Sequence, residues 1–139
     1  VPERVVFDTN VLISGYLWKG PPHGCILAAK AGLIEALTCD PILDEFEEKL
    51  RERFSFSPER AEEARNDFIK IAERSNIVGD LRVVESDPDD DKILECATTA
   101  GASSILTGDR HLRNLVEYEG IQIYTPSQLL FRLSQMGPI

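Results

Sequence analysis

The chain has 139 residues, 42% of them hydrophobic and 28% charged, a length and balance that suit one globular domain over residues 1–139. Its 24 acids against 15 bases give a formal net charge of −9, which excludes a domain relying on a broad basic face to hold nucleic acid. No apolar run reaches the ~18 residues of a membrane span, and the three cysteines, Cys25, Cys39 and Cys96, are odd in number with no C-x-x-C spacing. That pattern predicts reduced, buried thiols in a cytoplasmic protein rather than a disulfide framework or a zinc site. No signal-peptide pattern opens the residues given.

The first element is Val5-Val6-Phe7, a short apolar run that ends at Asp8. Such a run reads as a strand buried on both faces, as in parallel sheets. Val11 to Leu17 follows as a helix, and Trp18-Lys19-Gly20-Pro21-Pro22 reads as a loop. A second helix is predicted from His23 to Ala31, stopped by Gly32. Ile34 to Cys39 is the second strand. Asp40 is the predicted cap of a helix that begins with Pro41 and runs to about Arg53. Its apolar face carries Ile42, Leu43, Phe46 and Leu50.

Ser57-Pro58 repeats the cap signal, and the apolar stripe Ala61, Ala64, Phe68, Ile71 and Ala72 predicts a helix to about Arg74. A third strand is placed between Asn76 and Val84, on Ile77-Val78 and Leu81 to Val84. Asp87-Pro88-Asp89-Asp90-Asp91 opens a helix to Ala100. Ser104 to Thr107 is the fourth strand, followed by Gly108-Asp109 and a short helix from Arg110 to about Val116. Ile121 to Tyr124 is the last strand, and Thr125-x-x-Gln128 is a capping box for a helix to about Gln135. Strands and helices alternate almost throughout, so the expected fold class is α/β, a three-layer α/β/α sandwich around a parallel sheet.

In a parallel sheet every strand-to-helix junction opens on the same edge. Asp8 follows the first strand and Asp109 the fourth; Asp90 lies in the first turn of the helix after the third strand, and Glu45 near the start of the helix after the second. Each acid also has a plainer reading. Asp8 and Asp109 suit helix caps, the Asp87–Asp91 run suits a helix N-terminus, and Glu45 suits a solvated face. Periodicity does not choose among Asp44, Glu45 and Glu47, nor among Asp89, Asp90 and Asp91. Together, however, four segments deliver carboxylates to one rim, where they repel one another unless a cation is bound. Hard oxygen donors suit Mg²⁺ or Mn²⁺, and such a site suits phosphodiester hydrolysis.

The motifs V-V-F-D-T-N-V-L, P-I-L-D-E-F, D-P-D-D-D-K-I-L-E-C-A and S-I-L-T-G-D-R-H-L occur in that order over nearly the whole chain. In this the sequence resembles the PIN domain family. The resemblance implies a five-stranded parallel sheet and a Mg²⁺- or Mn²⁺-dependent ribonuclease, commonly a homodimer. It singles out Asp8, Glu45, Asp90 and Asp109 as the metal-binding and catalytic quartet. It makes Asn10 and Thr107 supports for those carboxylates and Asp91 an additional ligand. The closing I-Q-I-Y-T-P-S-Q-L-L is similar to the tail of a bacterial and archaeal subgroup of VapC-like toxins, which implies an antitoxin protein as partner.

Arg110, His111 and Lys19 are candidate RNA contacts, and Trp18 a candidate base-stacking platform. The plainer readings are solvated charges and a packed Trp18. Arg51 and Arg53 suit the C-terminal end of their helix. Two other functions fit the acids less fully. One is an acidic module that binds a basic partner without catalysis. The other is a Mg²⁺-dependent phosphatase with Asp8 as nucleophile, against which Asn10 stands where a second acid is expected.

Overall fold

The computed structural model describes residues 2–79 and 88–136; the side chains of Pro88, Asp89, Arg110 and His111 lie outside the described residues. A six-stranded sheet runs in the order β3 (Ala72–Ser75), β2 (Ile34–Cys39), β1 (Glu3–Phe7), β4 (Ser104–Leu106), β6 (Ile121–Tyr124), β5 (Glu117–Tyr118). The first five strands of that order are mutually parallel. The two-residue β5 adds an antiparallel edge to β6, so the expected five-stranded parallel sheet is present with one further strand. The helices are α1 (Thr9–Leu17), α2 (Pro21–Lys30), α3 (Asp40–Phe54), α4 (Pro58–Ile69), α5 (Pro88–Ala100), α6 (Arg110–Arg113) and α7 (Pro126–Gln135).

Chain direction across the sheet explains the layers. From β1 to β2 to β3 the strands step one way; from β3 to β4 the chain returns past β1 and continues to β6. Right-handed crossovers therefore send α1 to α4 to one face and α5 to the other. In agreement, α1 packs on α2 and α3, α3 on α4, and α7 on α2, while α5 packs against β1, β2, β3 and β4. The strand order reverses between β1 and β4, and the crevice above such a switch point is where open α/β sheets bind ligands.

Val5, Val6 and Phe7 are fully buried, as expected of a central strand. Phe7 meets Phe68 of α4 edge-on at 5.5 Å, and Tyr16 of α1 lies 5.5 Å from Phe46 of α3 and 6.5 Å from Phe68. This aromatic group ties the first strand to three helices. Gly24 allows α7 to approach α2, because a Cβ there would stand 2.9 Å from Leu130 Cδ1. Among the described residues no helix is long and apolar enough to cross a membrane.

The third strand is a correction. The helix expected to reach Arg74 stops at Ile69, and Ala72–Ser75 forms β3. Pairing overrides propensity here: Ala72 sits opposite Ala36 and Ser75 opposite Cys39, while Arg4 of β1 reaches across to both Glu35 and Glu73. The expected Ile77-Val78 strand is absent; Val78 is 82% exposed, and the Val78 and Gly79 amides donate to Glu95 Oε2 at 2.8 and 2.9 Å. The remainder of that expected strand, Leu81 to Val84, lies outside the described residues.

Three smaller corrections concern helix ends and loops. Asp40 is the first residue of α3 and Cys39 its cap; the Asp40 carboxylate instead stands 3.7 Å from Arg74 and 4.0 Å from Arg65. The α6 helix ends at Arg113, short of Val116, whose φ of 59° turns the chain into β5. Trp18 is 57% exposed, edge-on to Phe54 at 5.8 Å, rather than packed.

Candidate active site

The site begins with strand register. Phe7 of β1 pairs with Leu106 of β4, so the next residues, Asp8 and Thr107, leave the sheet side by side at its carboxyl edge. The ladder holds both: Asp8 N–H donates to Leu106 O at 3.0 Å and Thr107 N–H to Tyr124 O at 2.9 Å. The Thr107 hydroxyl donates to Asp8 Oδ2 and accepts the Asp109 N–H at 2.9 Å. Asp8 Oδ1 accepts the Val11 N–H at 3.0 Å, so the carboxylate also caps α1. Asp109 caps α6 in the same way, accepting the Leu112 N–H at 3.3 Å. Capping and site-building are therefore not alternatives here, since a cap fixes the direction in which the carboxylate faces.

Burial shifts the ionisation of Asp8. Its pKa is raised, first by removal from water; the hydrogen bonds from Thr107 and from the Val11 and Asn10 amides oppose the rise, and the charge of Asp109 adds to it. The group is held in place yet disfavoured as an anion.

Asp8, Thr9, Asn10, Glu45, Lys49, Asp90, Ile93 and Asp109 line one cleft of ≈ 70 Å³. The four singled-out acids thus meet there, with Asn10 beside them. Asp90 is buried at the start of α5, and Ile93 one turn on closes the wall. Thr107 is hydrogen-bonded to Asp8 and does not itself line the cleft. Asp91 is buried and does not line the cleft, and neither does Lys19, which is exposed in the loop after α1. The side chains of Arg110 and His111 lie outside the described residues.

Two further cations stand in this region, neither of them among the residues expected there. Lys92 Nζ stands 3.1 Å and Lys49 Nζ 3.8 Å from Glu45 Oε2, and Lys49 donates to Asn10 Oδ1 at 3.4 Å. Lys49 is detectable in the sequence, being four residues beyond Glu45 on the same helix face. Lys92 comes from another helix, and only the fold brings it to Glu45.

The donors fit a hard divalent cation: carboxylate oxygens with an amide oxygen alongside. Thr9, also on the wall, is buried, and among the described residues its hydroxyl has no hydrogen-bond partner. The spacing is looser than the chemistry. Among the described residues, no three carboxylate, imidazole or thiol groups stand close enough together to hold an ion as they are. Cys25, Cys39 and Cys96 are free and buried, away from the cleft wall.

The family model described as PIN domain matches residues 4–111, and all four cleft acids fall inside that span. No curated protein matches the chain. PIN domains are generally nucleases, and those nucleases generally use divalent metals. Because the match covers well over half of the sequence, the chain belongs to the PIN domain family.

Proposed function

We propose that this protein is an endoribonuclease that hydrolyses RNA phosphodiester bonds with Mg²⁺ or Mn²⁺, using Asp8, Glu45, Asp90 and Asp109. The observation that carries the reading is the meeting of these four carboxylates, from four separate segments, on the wall of one cleft at the sheet's switch point. Asp8, Asp90 and Asp109 would hold the cation, with Glu45 and Asn10 at its border. When bound, the cation supplies charge neutralisation at a phosphoryl oxygen and a lowered pKa for water.

The chain's own residues supply position and proton handling. The Thr107 hydroxyl links the Asp8 carboxylate to the Asp109 backbone and so holds the two acids in one register. Asp8, raised in pKa by burial, ionises more readily once positive charge arrives nearby. With carboxylates on several sides of the cleft, an attacking water in line with the leaving oxygen has an acceptor for its proton.

A labelled single-stranded RNA, incubated with Mn²⁺, with Mg²⁺ and with EDTA, tests the reading beside Asp8→Asn. Cleavage that requires metal and is lost in the variant supports it; equal cleavage by the variant removes Asp8 from the mechanism. The toxin role is a narrower proposal supported by the C-terminal segment alone. It predicts growth arrest on expression, relieved by Asp8→Asn and by a cognate antitoxin. Homodimerisation is supported by Leu27 and Leu33, each about half exposed beside Leu130 and Leu133, and is tested by sedimentation.

A further inference from the structure

Two ammonium groups from different helices converge on Glu45: Lys49 from α3 and Lys92 from α5. All three side chains are largely withdrawn from water, at 18% exposure for Glu45, 21% for Lys49 and 16% for Lys92. Glu45 and Lys49 line the acidic cleft, and both also line an adjoining groove of ≈ 400 Å³ that includes Lys92 and Arg53. Cleft and groove therefore share the wall made by Glu45 and Lys49, and Lys92 meets that wall from the groove side through Glu45.

A polyanion approaching this molecule meets a formal charge of −9 and a cleft lined with acids. A cation held by Asp8, Asp90 and Asp109 offsets that charge only at the reacting phosphate. The neighbouring phosphate of the strand needs positive charge of its own, and a lysine ammonium suits it as a point charge. The groove also carries Asp44, Glu48 and Glu52, of which Asp44 is paired with Arg65 at 2.8 Å. Within this mixed lining, Lys49 lines the cleft itself and Lys92 is held beside it by the carboxylate the two share.

We propose that Lys49 and Lys92 form a phosphate clamp beside the cleft: with Glu45 between them, they receive the substrate phosphate next to the one that is cleaved. The proposal rests on the nuclease reading and deepens it, naming the residues that bind a single-stranded nucleic acid rather than those that act on it. It also gives Glu45 a second role, as the positioning residue for both ammonium groups.

The test is the salt dependence of binding. Anisotropy of a fluorescent single-stranded RNA is followed from low to moderate KCl with Ca²⁺ in place of Mn²⁺, for the wild type, Lys49→Gln, Lys92→Gln and the double variant. Removing one lysine that neutralises a phosphate lowers the slope of log affinity against log salt by about 0.7. The clamp predicts that decrease for each single variant, about twice that for the double, and several-fold weaker binding at low salt. Lys49→Arg and Lys92→Arg retain most of the slope. Lys70→Gln, at the opposite edge of the sheet just before β3, leaves it unchanged. Mn²⁺ binding by the double variant is predicted to hold or tighten. Unchanged slopes in both single variants overturn the clamp, as does loss of Mn²⁺ binding in the double variant. A wild type that binds RNA but never cleaves it with Mn²⁺ overturns the nuclease reading itself, and is distinguished by the cleavage assay above.

Discussion

Asp8 and Thr107 stand side by side because Phe7 and Leu106, one residue earlier on each strand, are paired in the sheet. The Thr107 hydroxyl then joins three parts of the site, donating to Asp8 and accepting from the backbone of Asp109. Thr107→Val keeps the shape and removes the hydroxyl, leaving a buried carboxylate oxygen short of a partner. It is expected to cost about 1–3 kcal/mol, read from urea unfolding, and to weaken Mn²⁺ binding. Thr107→Ser is expected to retain most of both.

Asp8 gives a pH prediction whose sign follows from its raised pKa. The folded chain holds a proton on Asp8 more tightly than the unfolded chain does. Where both states are protonated, at low pH, the group does not affect stability. As pH rises past the ordinary carboxylate range and through the raised value, ionisation costs the folded state more, and stability is lost. Asp8→Asn removes that cost. Without metal, the variant is therefore predicted to gain stability over the wild type on going from acid to neutral pH, as measured by unfolding across that range. A constant difference would mean that burial does not govern this acid.

Phe68 anchors α4 to the sheet through Phe7 and to α1 through Tyr16. Phe68→Ala leaves a cavity at a fully buried site and is expected to cost about 3–5 kcal/mol. Phe54→Ala, at a partly exposed position, is expected to cost far less in the same denaturation assay.

The thiol of Cys25 is pushed up to about 12 by burial, and its Sγ lies 3.7 Å from Pro126 O. Alkylation with iodoacetamide at pH 8 is predicted to leave Cys25 unmodified in the native protein and to modify it once denatured, read by peptide mass spectrometry. Fast labelling of the native chain would mean that α2 and α7 separate readily.

The sequence is most legible where local signals and tertiary pairing agree. Asp8, Ser57 and Thr125 each cap the helix that follows, and the expected capping box of Thr125 and Gln128 is complete. The third strand shows the opposite case. Ala72-Glu73-Arg74-Ser75 has no β-branched or aromatic residue and continues a helical stripe, so only pairing with β2 makes it a strand. Ile77-Val78 has strand-like residues but pairs with no strand among the described residues, and the Glu95 carboxylate takes the Val78 and Gly79 amides instead.

The same distinction runs through the cleft. Acids at strand ends are readable because the strand itself aims them. Lys92 is not readable, because its partner Glu45 lies on another helix, 47 positions earlier in the chain. Asp91, beside Asp90 in sequence, is turned off the cleft wall by the helical step of about 100° per residue.

The central claim is that carboxylates from separate segments gather in one cleft to hold a divalent cation. Titration of Mn²⁺ followed by electron paramagnetic resonance of the free ion tests it most directly, on the wild type, Asp8→Asn and Asp90→Asn. Saturable binding to the wild type is predicted, with at least tenfold weaker binding in each variant and all three proteins folded. Identical isotherms for the three would contradict the claim, placing the bound ion away from the cleft.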